Sequence, residues 1–505
     1  MNRAKPVTSL RRPAVLAIAA IMLASGAGTS LAADENHRGV SVSAHAAAYV
    51  SSGPVASSPV KPAAETAFTQ VLAGTYYSVG LRADGSVWTW GRNLYGELGL
   101  PGTSAVGSVN APVRLVGLTG IRSIATSGSG YQLAVKDDGT VWEWGSHLRN
   151  STETLPPRQF PLLTGVAQVA TEHAVNFALK QDGSLWAWTK DVDTGKTGQP
   201  IEIKHTGKYV SLSAAGDTAY TLDDAGSLWV IRAERQDNRL NVLPPVRVSG
   251  LPALKQVTGH FSSDMYGIDP SGTAWKWSLT PSAASHKLSG KPIKLYPGLK
   301  FKQVAGSGFA MLLSEQGEVW TYGKGPDGKE GKVKGLKGIV ALSPGSRHAL
   351  AIDAQGQVWG WGANQWNEVG VRRNSQDGME YAPKRLQIPI TVKVNGSLLS
   401  SSFPATMSGN LINVPLKDTA KALGAELMTP TTAEHGGMYT LKYKDTSVDF
   451  RPGYNEVDIN GKKVLLPSPI TAENGATMIP ASLLKQMGFT VTWDSKRSEL
   501  TITGA

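Results

Sequence analysis

Two short stretches of this chain have the residue types and spacing of ligand-handling loops. Asp191-Val192-Asp193-Thr194-Gly195 places carboxylates two residues apart, and Glu202 falls at the twelfth position, where a calcium loop puts its bidentate ligand. Lys196 stands where the turn glycine belongs and the flanks read as strands, so a solvated hairpin tip is the better fit, with calcium at Asp191 and Asp193 left open. Gly323-Lys324-Gly325-Pro326-Asp327-Gly328-Lys329 has the outline of a phosphate loop. It runs into Glu330 rather than the hydroxyl residue that binds magnesium, and it lies between strands instead of opening a helix, so nucleotide binding is a chance match. The histidines are scattered, without an H-E-x-x-H pair, and no G-x-S-x-G follows a parallel strand. With no cysteine there is no thiol chemistry and no disulfide. The chain therefore reads as a non-enzyme without a cofactor, with a catalytic site assembled from residues scattered over several blades left open.

Aromatic side chains offer a second kind of chemistry, binding. Asp84-Gly85-Ser86-Val87-Trp88-Thr89-Trp90-Gly91 sets two tryptophans on one face of a strand, and twelve of the chain's 14 tryptophans recur in such stretches. Ile231 and Tyr322 take the second place in two copies. A sugar platform would not tolerate isoleucine, whereas a packed core would, so these rings are read as buried packing between repeats. The loop beside them is more promising. Gly91-Arg92-Asn93-Leu94-Tyr95-Gly96 is answered by Gly362-Ala363-Asn364-Gln365-Trp366-Asn367, which puts Tyr95 and Trp366 at one site and implies a left-handed backbone at Gly96 and Asn367. Aligning the copies also places Tyr76, Gly130, Ala174, Asp217, Ser263, Gly308 and Arg347 at one turn position, where the chemistry changes from copy to copy as solvent exposure or a partner-specific surface would allow. Tyr76, Tyr95, Phe261, Arg347 and Trp366 are the candidate partner-binding residues, being types enriched at interface hot spots. His348, with no acid or nucleophile beside it in sequence, is read as packing.

The elements that carry these residues repeat seven times. The turn glycines Gly85, Gly139, Gly183, Gly226, Gly272, Gly317 and Gly356 are 54, 44, 43, 46, 45 and 39 residues apart, a propeller-blade period. Each copy has an apolar strand, a Gly/Ser turn, an alternating strand, an Asp-Gly type turn, the tryptophan strand and a proline-initiated segment such as PVRLVGL at Pro112. The Asp-Gly pairs predict type I′ hairpins. Four strands in each of seven copies make a mainly β protein, a seven-bladed β-propeller over residues 66–390.

The pattern D-G-x-V-W-x-W-G-x-N-x-x-G-x-L-G resembles the regulator of chromosome condensation repeat family, best at residues 74–99 and next best in the seventh copy, while copies three to six keep the tryptophan strand but lose the tail. Residues 391–505 change character. Asn410–Leu427 and Ala476–Asp494 echo each other as strand, proline, short amphipathic helix, glycine stop and strand, with Pro415 and Pro480 expected in the first helical turn and Gly424 and Gly488 as the stops. This small α+β domain with a duplicated β-α-β unit resembles the copper amine oxidase N-terminal-like domain of secreted bacterial proteins, which implies a stalk rather than an oxidase. Copper sites usually need several imidazoles, and this domain has only His435; Gly453-Tyr454-Asn455-Glu456 also has the wrong order for the cofactor tyrosine.

Residues 1–33 read as a signal peptide, with a basic start, an apolar run from Ala14 to Ala24 about half the length of a span, and a small-x-small site ending at Ala32. Residues 34–65, rich in Ala, Ser, Val and Pro, read as a disordered linker. Removing Arg3, Lys5, Arg11 and Arg12 takes the formal charge from +11 to +7, and no Lys/Arg block resembles a nucleic-acid arm. The expectation is a secreted or envelope-associated, non-enzymatic protein with no membrane span after cleavage, whose propeller face binds a protein partner. Propeller-type secreted β-lactamase inhibitors, which resemble this repeat family, bind in that way. A propeller that binds or cleaves cell-wall polysaccharide, or a structural surface component, is the alternative.

Overall fold

The computed structural model describes residues 65–504, apart from 101–106, 129, 147–153, 172–174, 191–196, 206, 237–238, 260–263, 281–287, 374, 430–436 and 474–475. The expected signal segment, nearly all of the linker, Asp191, Asp193, Phe261 and His435 lie outside the described residues.

Blade 1 is an antiparallel meander in chain order: inner strand Phe68–Ala73, second strand Tyr77–Arg82, third strand Val87–Arg92 and outer strand Ser108–Arg114. Six further sheets begin at Ile121, Val166, Ser213, Gln256, Phe301 and Ile339. Each inner strand packs against the inner strand of the next blade, and that of blade 7 packs against that of blade 1, so the ring closes as a seven-bladed β-propeller. Because neighbouring blades cover both faces of a sheet, its second strand is buried nearly throughout. Tyr77–Arg82 and His348–Asp353 are buried at every position.

The tryptophan strand supplies the plugs between blades. Trp90, Trp144, Trp188 and Trp361 are fully buried, each in a cluster with the preceding blade: Trp90 with Leu350 and Ile352, Trp144 with Leu98 and Val113, and Trp361 with Met311 and Leu313. Trp188 stacks on Phe160 of blade 2, the ring centroids 5.1 Å apart. Most first-position tryptophans are half-buried instead and donate Nε1–H to their own turn, as Trp229 does to Asp223 (2.8 Å) and Trp359 to Asp353 (3.0 Å). Inner strands are also tied by glutamine amides. Gln70 makes paired 3.0 Å bonds to the Ile124 N–H and C=O of blade 2, and Gln303 does the same to Leu342 of blade 7.

The Asp-Gly hairpins are not type I′. Only the glycine has positive φ, 74° at Gly85, and its N–H bonds Arg82 O while Arg82 N–H bonds Ser86 O, which is a type I turn followed by a glycine bulge. The aspartate has a different job: Asp84 Oδ1 accepts from the N–H of Ser86. In the fourth, fifth and seventh copies, which lack Asp-Gly, an aspartate three residues before the glycine substitutes, as where Asp353 Oδ1 caps both Gln355 N–H and Gln357 N–H; in the sixth, Ser314 Oγ accepts from Glu318 N–H. Blade 4 departs from the plan, its third strand running on as Leu228–Gln236 into a hairpin with Arg239–Val242.

In the C-terminal domain, Leu411–Pro415 and Ala476–Pro480 pair antiparallel and feed α1 (Leu416–Leu423) and α2 (Ala481–Gln486). Pro415 and Pro480 are N-caps, one residue before the helices rather than in their first turn, because each still belongs to its strand. Gly424, at φ 69°, ends α1. Thr391–Val394 and Glu499–Thr503 pair in parallel, joining the first and last strands of the domain. Phe403 packs against the blade 1 cluster, and Arg82 Nη2 donates to Pro389 O at 3.3 Å. Among the described residues no helix is long and apolar enough to cross a membrane.

Candidate functional site

In a four-strand meander the inner-to-second turn and the third-to-outer loop emerge at the same edge of the sheet, while the Asp-Gly turns and blade-to-blade connections emerge at the other. The turns carrying Tyr76 and Arg347 therefore share a propeller face with the loops carrying Tyr95 and Trp366.

The two loops are built alike. Asn93 Oδ1 accepts from Leu98 N–H and Asn364 Oδ1 from Val369 N–H, both at 3.1 Å. Glu97 Oε2 accepts from Tyr95 N–H (2.8 Å) and Glu368 Oε2 from Trp366 N–H (2.7 Å), so a buried carboxylate folds back under each aromatic residue. Gly96 and Asn367 are left-handed, with φ 73° and 62°. Each loop then clasps the following blade. Glu368 O accepts from Ser78 Oγ (2.8 Å) and Trp90 Nε1 (3.0 Å) of blade 1, and the glycines at the contact leave no room for a Cβ: one on Gly99 would sit 2.4 Å from Trp144.

Above the clasp between blades 7 and 1 lies an aromatic and cationic cluster. The Arg92 guanidinium is 4.4 Å from the Tyr76 ring centroid and 5.4 Å from that of Tyr95; the Arg347 guanidinium is 5.7 Å from Tyr76. Arg92 is fixed by a 2.6 Å ion pair from Nε to Glu97 Oε1. Arg347 is exposed, with no ion pair among the described residues, and Tyr95 is 39% exposed. Three of the five sequence candidates, Tyr76, Tyr95 and Arg347, thus converge. Trp366 is half-buried on the neighbouring loop and makes no ring contact with them among the described residues, and Phe261 lies outside those residues. Sequence reading missed Arg92, Glu97 and Glu368. Their signal was present, since glutamate follows the aromatic residue by two positions in both copies.

The clasps differ electrostatically. Blade 7 has Ala363 where blade 1 has Arg92, so Glu368 lacks the counterpart of the arginine that pairs with Glu97, and its Oε1 is buried without a hydrogen-bond partner. Burial pushes its carboxyl up to about 7, against the backbone N–H groups and the Arg347 and Arg92 charges that pull it down. His348 Nε2 is 2.8 Å from Ser78 Oγ, and burial drives its imidazole down to about 3, so it is a neutral packing residue. A second titratable group sits between blades 2 and 3. Glu143 pairs with Arg158 and accepts from Tyr131 Oη, while Lys190 Nζ lies 3.5 Å from the Tyr131 ring centroid. Tyr131, Glu143 and Lys190 are buried, Lys190 being lowered to about 7 by desolvation. The phosphate-loop look-alike is a tight turn between strands, closed by a 2.8 Å bond from Gly325 N–H to Lys329 O. No group of three or more His, Cys, Asp or Glu able to hold a metal occurs among the described residues.

Family models match at both ends of this architecture. The regulator of chromosome condensation (RCC1) repeat matches at residues 84–135 and, in a second form, at 68–97 and 339–365; the copper amine oxidase N-terminal domain matches at 393–502. The chain thus carries RCC1 repeats and a copper amine oxidase N-terminal domain, and the repeat matches fall on blades 1, 2 and 7. It is similar to the human E3 ubiquitin-protein ligase HERC2, at 38% identity over 78 residues, 15% of this chain and only 2% of the ligase. The Arabidopsis thaliana ultraviolet-B receptor UVR8 is 24% identical over 354 residues, covering 64% of this chain and 71% of the receptor. Yeast RCC1 (Prp20), solved bound to Kap60, covers 72% of this chain and 91% of its own at 17% identity and a TM-score of 0.47.

Proposed function

We propose that this combination of RCC1 repeats and a copper amine oxidase N-terminal domain is an exported, non-enzymatic binding protein. Its propeller engages a protein partner through the face at the junction of blades 7 and 1, and its C-terminal domain keeps it at the cell envelope. The observation that carries the reading is the stacking of Arg92, Tyr76 and Arg347 beside exposed Tyr95. Arginine and tyrosine on a rigid support lose little conformational entropy on binding, and both are hot-spot types. Relatives as differently named as a ubiquitin ligase and a light receptor share the repeat, so fold alone does not select a function, and the reading rests on the site.

The test is capture of partners from secreted and surface fractions by the full chain and by its Tyr76→Ala, Arg347→Ala double variant. A protein retained by the first and lost by the second is the expected result. Equal retention by both, or retention of glycan alone, would remove this face from the account. The export reading is checked by the mature N-terminus, expected at residue 33 or 34.

A further inference from the structure

The turn that looks like a phosphate loop in sequence is placed where its lysines matter. Residues 323–330 join the third and outer strands of blade 6, so they emerge on the same propeller face as Tyr76, Tyr95 and Arg347. The turn leans on the next blade there: a Cβ built on Gly362 would meet Pro326 Cβ at 2.7 Å and Arg347 O at 2.6 Å. The loop of blade 7 is tied to the same junction, Arg373 N–H donating to Asn367 Oδ1 at 3.0 Å, one residue before the Glu368 that clasps blade 1.

Lys324 and Lys329 of the first loop, Arg372 and Arg373 of the second, and Arg347 are all exposed, and none has an ion pair among the described residues. The two loops hold only two exposed acids among the described residues, Glu330 and Asp377. Asp377 is already engaged, accepting from Tyr381 Oη (2.8 Å) and Met379 N–H (3.0 Å). At the centre, Arg92 commits Nε to Glu97, while its Nη groups and the whole Arg347 guanidinium donate no hydrogen bond among the described residues. Both guanidiniums are held against the one Tyr76 ring. Glu368 does not answer Arg347, since its free oxygen is buried without a partner. Exposed cations outnumber exposed acids, and the two central forks are set on a rigid aromatic support with their donors unused.

We propose that the partner presents an acidic segment to this junction. A glutamate or aspartate carboxylate bridges Arg347 and the Nη groups of Arg92 beside the Tyr76 ring, an apolar neighbour packs on Tyr95, and further acids meet the blade 6 and blade 7 loops. This rests on the reading that the junction is the partner-binding face, and it supplies the chemistry that the face recognises. Planar guanidinium forks match a carboxylate two bonds at a time, which fixes the orientation of the segment as well as its charge. Glu97 and Glu368 lie within the cluster, so the surface is a set of separate cations on an aromatic floor rather than the continuous basic stripe that a phosphate backbone follows. A second copy of this chain, at a formal +11, brings like charge.

The probe is an acetylated, amidated nonapeptide of glutamate-glutamate-phenylalanine repeats, titrated into the full chain beside counterparts with glutamine or lysine for glutamate. Saturable binding of the acidic peptide below about 1 mM is expected, with at least about tenfold weaker binding of both counterparts. Raising salt from about 50 mM to about 300 mM should weaken it several-fold. Arg347→Glu should weaken it about tenfold and Arg347→Lys about two- to threefold, because lysine keeps the charge and loses the fork. Lys208→Glu, beside the Gly183 turn on the opposite face, should leave it unchanged. Equal binding of the glutamine peptide, no saturation, or an equal loss in the Lys208 variant would overturn the proposal. So would an oligothymidylate that displaces the acidic peptide and binds more tightly, because the ligand would then be a phosphate backbone. If the acidic peptide fails while a captured protein is still lost by Tyr76→Ala with Arg347→Ala, the face stands and its acidic chemistry falls. If that double variant retains every captured protein, the face falls, and the acidic segment with it.

Discussion

Glu368→Gln should stabilise the propeller at and above neutral pH, and the size of the effect follows from the burial of the carboxyl. Glu368 is fully buried, its Oε1 has no partner, and its carboxyl is raised to about 7 from an ordinary 4.5. A carboxyl whose folded pKa is raised is neutral in both states at low pH and contributes nothing there. As pH climbs from the unfolded toward the folded value, the unfolded chain loses its proton first, and stability falls until both forms are ionised above about 7. At 1.36 kcal/mol per unit, the full penalty is about 3 kcal/mol, of which about 2.5 develops between pH 5 and pH 8. Glutamine keeps an oxygen for Trp366 N–H and removes the charge, so the variant should lose this pH dependence. For a propeller of this size the difference corresponds to about 4 °C in Tm. The assay is thermal unfolding of wild type and variant at pH 5 and pH 8, read by tryptophan fluorescence. A variant gain that is the same at both pH values would refute the reasoning, because a packing or amide effect is independent of pH.

Other parts of the fold can be tested in the same way. Gln303→Leu removes two 3.0 Å bonds and strands the Leu342 N–H and C=O, so it should cost about 2 kcal/mol in denaturant unfolding. Gly91→Ala and Gly117→Ala share a positive φ near 100°, but only the first would place a Cβ 2.7 Å from Tyr77 Cα. Chemical denaturation should show about 1 kcal/mol for Gly117→Ala and at least twice that for Gly91→Ala. Trp361→Ala empties a plug between blades 6 and 7 and should cost about 3–5 kcal/mol, whereas Trp366→Ala on the half-buried loop should lower Tm by no more than a degree or two.

The sequence carried the propeller because each blade repeats the same local decisions. Turn glycines at a blade period and alternating strands are local, and Ile231 and Tyr322 at the second tryptophan place revealed a packing position before any geometry was known. The prolines expected to start the outer strands instead lie inside them in blades 1, 2 and 7, as Pro112 does in Ser108–Arg114 and Pro383 in Met379–Arg385, where an outermost strand tolerates a missing N–H. What it did not carry depends on neighbours distant in the chain. Gln70 looks like an ordinary polar strand residue until Ile124 of the next blade meets its amide, and Arg92 looks like a surface cation until Tyr76 and Glu97 bracket it. The type I′ expectation failed for a different reason. Asp-Gly permits several hairpins, and the registration of Arg82 with Ser86 allows the glycine bulge, in which aspartate caps the turn without adopting positive φ. Tyr76 and Arg347 were found from one turn position, but their meeting needed ring closure between the first and last blades.

The central claim is that this junction is the partner-binding face. It is tested most directly by the affinity of a captured partner for the full chain carrying Tyr76→Ala with Arg347→Ala, compared with wild type and with Lys208→Ala on the Asp-Gly face. Loss of two hot-spot side chains predicts about 2 kcal/mol or more, roughly a thirtyfold weaker Kd, with no change for Lys208→Ala. Unchanged affinity in the double variant, or an equal loss in the Lys208 control, would contradict the account.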